Sequence, residues 1–238
     1  MIFRGRKPHL KITALAWLKS AMLSALLAVV LAPLHAISAT ASVAGGNLNA
    51  ESVQTLASAS DDARYAVRWV LATQDNQGKP FAIVDKKNAQ IFVFESKGQL
   101  VGASPALLGL SLGDTDVSDI SQRQPTSLST AERSTPAGRF LTEHGRNLNG
   151  EAVVWLDYAA KLAIHRLRSA PAHERRAERL ASATPDDNRI SLGCVIVSES
   201  FYETVISPAF GKSRGVVYVL PETRSVQHMF NDLHASLQ

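Results

Sequence analysis

Short apolar runs of period two recur between Phe81 and Leu220, and they leave little room for anything but a sheet-based fold. Phe81–Asp85 and Gln90–Glu95 flank the turn-like Lys86-Lys87-Asn88, and Ser96-Lys97-Gly98 leads on to Leu100–Leu108, so these three runs form a meander. Ala152–Leu156 and Leu162–Arg166 flank Asp157-Tyr158-Ala159-Ala160 and read as a hairpin. Arg139–Thr142, Arg189–Val197 and Gly215–Leu220 supply further strands, while polar Gly109–Thr135 reads as an extended loop. Helical spacing is confined to the margins. Asp61 to Thr73 carries Tyr65, Ala66, Trp69 and Val70 on one face; Ser198–Ile206 is a short amphipathic helix ended by Pro208; Ser225–Leu237 is a polar helical tail. A charged insertion, Ser169–Asn188, holds one more short helix. The fold expected is mainly β, one compact domain with short peripheral helices.

The charge distribution divides the chain. The 238 residues have a formal net charge of +4, but Arg4, Arg6, Lys7, Lys11 and Lys19 lie in a first segment, 1–41, without Asp or Glu. The remainder holds 20 Lys+Arg against 21 Asp+Glu. That basic start runs into apolar Ala21–Ala32 and then to Ala39-Thr40-Ala41, the order of a secretory signal with its small-residue cleavage site. The 12 apolar residues are short for a membrane span of roughly 20, and membrane contact is expected only through this segment if it stays uncleaved. No Cys lies just after it, so a lipid-modified anchor is not expected. The expected organisation is a signal peptide at 1–41, a leader and short helix at 42–77, a catalytic domain at 78–222 and the polar tail at 223–238. The location expected is periplasmic or cell-envelope. A nearly neutral mature chain without a basic stripe gives no support to a nucleic-acid partner.

One cysteine, Cys194, rules out a disulfide scaffold and a multi-thiolate zinc site. A lone thiol in an exported chain is inert and buried, or joined to another molecule, or a nucleophile. Its surroundings, Ser191-Leu192-Gly193-Cys194, sit where a strand gives way to a helix, and Gly193 lets a substrate approach the backbone and exposes N–H groups to an oxyanion. A thiol nucleophile requires a base. Five histidines lie beyond the signal segment: 144, 165, 173, 228 and 234. His165, on the strand Leu162-Ala163-Ile164-His165, can reach a thiol on a neighbouring strand; His144 lies in a turn-like stretch, and the other three in surface helices. The histidines lack metal-binding spacing and no Gly-rich phosphate loop precedes a helix, so no cofactor is expected.

Ser134-Thr135-Pro136-Ala137-Gly138-Arg139-Phe140, then His165 on an apolar strand, then Ser191-Leu192-Gly193-Cys194 resemble the catalytic domain of the L,D-transpeptidase (YkuD-type) family. The resemblance runs from about Gly78 to Glu222. It implies a β-sandwich or barrel, and acyl transfer on peptidoglycan tetrapeptide stems with Cys194 as nucleophile and His165 as base. It implies oxyanion contacts from the backbone of Cys194 and Gly193, with Ser191 and Arg189 as supporting candidates. Leu192 stands where the family usually has His, Arg166 where Gly is common, and Ile196 where Arg or Asn is usual. The 29-residue His-to-Cys separation exceeds the family's usual interval by the charged insertion. Hydrolysis by a carboxypeptidase or endopeptidase, and a non-catalytic wall-binding homologue, remain as alternatives.

Overall fold

A computed structural model describes residues 59–115, 122–124 and 127–235. The segment read as a signal peptide and most of the leader lie outside the described residues. Among those described, no helix is long and apolar enough to cross a membrane.

The meander forms as the alternation dictates: β1 (Phe81–Asp85), β2 (Gln90–Phe94) and β3 (Leu100–Pro105) pair antiparallel in sequence. The apolar run continues past Pro105 but does not continue the strand. Leu107 bridges to Ile196, and β4 (Leu108–Gly109) turns away to pair with β9 (Arg189–Ser191). A five-stranded sheet is completed by β11 (Val216–Val219), parallel to β1, and β5 (Gly138–Leu141), antiparallel to β11. The hairpin expected around Asp157 is β7 (Ala152–Asp157) with β8 (Leu162–Arg166). It sits in a four-stranded sheet ordered β10-β8-β7-β6, where β6 is Glu143–Arg146 and β10 is Val195–Val197. β6 carries no apolar alternation (Glu-His-Gly-Arg), so nothing in its pattern marks it as a strand.

The two sheets pack on each other through Ala82, Val84, Ile91 and Val93 on one side and Val154, Leu156, Ile164, Val195 and Val197 on the other. The opposite face of the five-stranded sheet is also covered. Phe81, Ile83, Phe94 and Tyr218 pack against α1 (Asp61–Thr73) and a C-terminal helix, Val226–Ala235. Ser60 caps α1, its Oγ accepting from the Ala63 N–H at 3.0 Å, and Asp61 and Asp62 complement the helix dipole. The tail read as polar is polar on one face only, since Val226, Met229 and Phe230 are buried. Apolar residues three and four apart close that stripe, which the tail's average polarity conceals.

Two helices arise within and after the four-stranded sheet. The insertion folds into the six-residue α2 (Arg176–Ala181), whose Leu180 covers Ile196. After β10 a continuous helix over 199–210, α3, does not stop at Pro208 as its sequence suggests. A π-turn at Tyr202–Ile206 changes the hydrogen-bond spacing, and Pro208 then falls in the first turn of the segment Ser207–Phe210, where a missing N–H costs nothing. The terminal helix is thereby α4.

Candidate active site

Arg189–Val197 reads as one strand but is two, because the backbone leaves the extended path at Leu192-Gly193-Cys194. Gly193 has φ +134°, and a Cβ there would lie 2.9 Å from the Ser134 carbonyl oxygen. That combination confines the position to glycine. Two hydroxyls clasp the turn. Ser191 Oγ accepts from the Gly193 N–H at 3.0 Å and donates to the Cys194 carbonyl at 2.7 Å. Thr135, fully buried, donates from Oγ1 to the Gly193 carbonyl at 2.8 Å and accepts from the Gly109 N–H at 2.9 Å. The Thr-Pro segment therefore holds the thiol-bearing loop from beneath, a role the sequence reading did not assign to it.

Below the clasp lies a buried cluster of four charges. Lys86 Nζ, with no solvent exposure, donates to Asp114 Oδ1 at 2.8 Å and to the Thr135 carbonyl at 2.7 Å, and lies 3.3 Å from Glu222 Oε1. Arg189 completes it, pairing with Glu222 and donating to the Lys86 carbonyl at 2.8 Å. Burial works to raise the Asp114 carboxyl, but hydrogen bonds from Lys86, Thr223 and two backbone N–H groups outweigh it and hold the group well below the usual carboxylate range. Of these four, Arg189 is the only one singled out by the sequence. Positions 86, 114 and 222 lie on a turn and two loops that meet only in the folded chain.

Parallel pairing of β8 and β10 sets Val195 opposite Ile164 and Ile196 opposite His165. Val195, Val197 and Ile164 point into the core between the sheets, so alternation sends His165, with Ile196, to the outer face beneath the insertion. Cys194 directly precedes β10 in the same register, so its neighbour on β8 is Ala163, and His165 lies two residues further along that strand on the same outer face. The thiol is half-buried, and its Sγ donates to the Lys161 carbonyl at 3.5 Å. Desolvation raises its pKa, opposed by the Ala163 backbone and the charge of Arg168. His165 is 9% exposed and its Nδ1 lies 2.8 Å from the Arg166 carbonyl. Since a carbonyl only accepts, Nδ1 carries the proton and the Nε2 lone pair is left for chemistry. Burial, chiefly, lowers the imidazole to about 4; the Arg166 carbonyl opposes this, and the charges of Arg168 and Arg176 reinforce it. The resting pair is thus a neutral thiol and a neutral imidazole.

Of the expected oxyanion donors, the Gly193 N–H is already given to Ser191, whereas no hydroxyl among the described residues takes the Cys194 N–H. Leu192 stands 42% exposed at the tip of the turn. His144 lies exposed on β6, two strands away from β8, and His173 and His228 are on the surface.

No family model matches the sequence, and no curated protein matches it. Solved structures do resemble it. An L,D-transpeptidase, LdtMt1, in complex with imipenem is 13% identical, over 59% of this chain and 58% of that one, with a TM-score of 0.36. An L,D-transpeptidase from Xylanimonas cellulosilytica is 16% identical over 60% of each chain, TM-score 0.36. The catalytic domain of the E. faecium L,D-transpeptidase is 15% identical over 60% of this chain and 98% of that one, TM-score 0.35. The chain thus spans about three-fifths of the first two structures' length.

Proposed function

We propose that this protein is an exported cysteine acyltransferase acting on peptidoglycan tetrapeptide stems, an L,D-transpeptidase in its reaction. The observation that supports the reading is the parallel pairing of the strand bearing His165 with the strand that Cys194 leads into, with the thiol's turn clasped by Thr135 and Ser191. Because both groups rest neutral, attack is coupled to proton transfer. His165 Nε2 takes the thiol proton as Sγ adds to the carbonyl between the diamino acid's L-centre and the terminal D-Ala. The Cys194 N–H receives the oxyanion. Gly193 joins it only if Ser191 Oγ releases its N–H.

Collapse of the adduct breaks the C–N bond, and the imidazolium gives its proton to the departing D-Ala amine. A thioester remains on Cys194. The side-chain amine of a second stem then attacks the thioester, loses a proton to His165 and returns the thiol, leaving a cross-link. Water in place of that amine gives a carboxypeptidase or endopeptidase product.

Incubating the purified protein with tetrapeptide muropeptides tests the reading. Dimers accompanied by free D-Ala are expected; free D-Ala with monomers alone assigns a hydrolase. No D-Ala at all, with a thiol that resists alkylation, selects a wall-binding homologue. That second reading draws on the raised thiol pKa and on Leu192 and Ile196 beside the thiol.

A further inference from the structure

Between β8 and α2 the insertion lines an open cleft of about 370 Å³. Its lining includes Leu167, Arg168, Arg175 and Arg176, with Glu178 as the only acid. The cleft begins where the catalytic strand ends. Leu167, two residues after His165, packs against Ile196 and donates its N–H to the Val197 carbonyl at 2.7 Å. The wall of the cleft and the strand bearing the proposed base are therefore one continuous piece of chain.

Arg175 is paired with Glu178, and Arg176 Nε donates to Glu174 at 2.5 Å. Arg168 differs. It is ion-paired with Glu151 through a buried Nε, 2.7 Å from Oε2 but without the geometry of a hydrogen bond, and among the described residues no hydrogen bond holds its terminal nitrogens. With Nε turned to Glu151, the four N–H donors of the two terminal nitrogens are left for a group that can accept them, and a carboxylate matches that edge of the fork with two parallel bonds. The positive charge that acts on both Cys194 and His165 is that of Arg168. Position 196, next to the thiol, is apolar and supplies none.

We propose that Arg168, with Arg176 beside it, is a carboxylate-binding subsite for the donor peptide, built by the insertion next to the thiol. The inference rests on the acyl-transfer reading above. In the scissile unit the terminal D-Ala carboxylate is three bonds from the carbonyl carbon that Cys194 attacks, so a cation near both reacting groups is placed to hold it. The diamino acid's own carboxylate offers the same chemistry from the other side of the bond.

The test is binding to the full-length Cys194→Ala protein, measured by calorimetry with three tetrapeptides: the free acid, the terminal D-Ala amide and the diamino-acid amide. About tenfold tighter binding of the free acid than of the D-Ala amide is expected, in line with a charge-assisted pair. Adding Arg168→Gln removes that preference and leaves affinity for the D-Ala amide unchanged, while Arg168→Lys keeps part of it. Weaker binding of the diamino-acid amide alone, with the D-Ala amide bound like the free acid, supports the subsite and reassigns its carboxylate. Equal affinity for all three peptides, absence of binding, or a preference that survives Arg168→Gln overturns it. Thermal unfolding of each variant separates lost contact from lost fold. The acyl-transfer reading fails on a different measurement, the muropeptide products of the protein with its native thiol, so the two can fail separately.

Discussion

The two sheets of the domain are built from the same kind of strand but put to opposite uses. The five-stranded sheet is apolar on both faces, with the second sheet on one side and two helices on the other. Its central strands β1 and β11 are buried at every position. The four-stranded sheet packs only one face into the core between the sheets. Its other face carries His165, adjoins Cys194, and is roofed by a charged insertion in place of apolar helices. A doubly covered sheet can supply stability without chemistry; a singly covered one leaves a partly desolvated face where polar groups can be perturbed.

That contrast predicts which substitutions cost activity and which cost stability. The largest effect is expected at the base. His165→Ala lowers the rate of thiol acylation by about 10²–10⁴-fold, whereas His144→Ala, on exposed β6, leaves most of it. Equal loss in both, read as acyl-enzyme formation by mass spectrometry, breaks the assignment. On the other sheet, Phe81 is fully buried and stacked on Phe94 with ring centroids 4.8 Å apart. Phe81→Ala is expected to cost about 3–5 kcal/mol in denaturant unfolding, with an unchanged acylation rate for the molecules that remain folded.

The buried imidazole gives a pH signature confined to the site. With a folded pKa of about 4 against an ordinary 6.5, the unfolded chain binds the extra proton between those values. Stability from this group is present above pH 6.5 and lost as pH falls towards 4, by about 3 kcal/mol in all. Urea titrations across that range should show the loss in wild type and not in His165→Gln; the same slope in both sinks the claim of a desolvated, neutral His165. A smaller effect belongs to the clasp. Thr135→Val leaves the Gly109 N–H and the Gly193 carbonyl without their hydroxyl partner, at a cost of about 1–3 kcal/mol. It should also slow alkylation of Cys194, because the turn that presents the thiol loses its lower support.

Much of this arrangement was legible in the sequence because it follows local rules. The meander, the hairpin around Asp157 and the helix at Asp61–Thr73 announce themselves by period and by turn residues. The thiol and the strand histidine were legible for a different reason, being rare residue types in an informative context. What stayed hidden depends on the folded chain. β6 is a strand because β7 pairs with it, not because Glu143–Arg146 alternates. The helix past Pro208 survives through a π-turn that no residue pattern declares. Lys86, Asp114 and Glu222 look like ordinary surface charges in their own segments, and only the convergence of three loops under Arg189 makes them one buried cluster. Thr135 was visible as part of a motif, but its work on Gly193 was not.

The central claim is that Cys194 is a working nucleophile served by His165, and intact mass after exposure to a carbapenem, a strained lactam that acylates an activated thiol, tests it most directly. The account predicts a single covalent adduct on the wild-type protein, none on Cys194→Ala, and strongly slowed formation on His165→Ala. An unmodified wild-type mass, or the same adduct on Cys194→Ala, would contradict it.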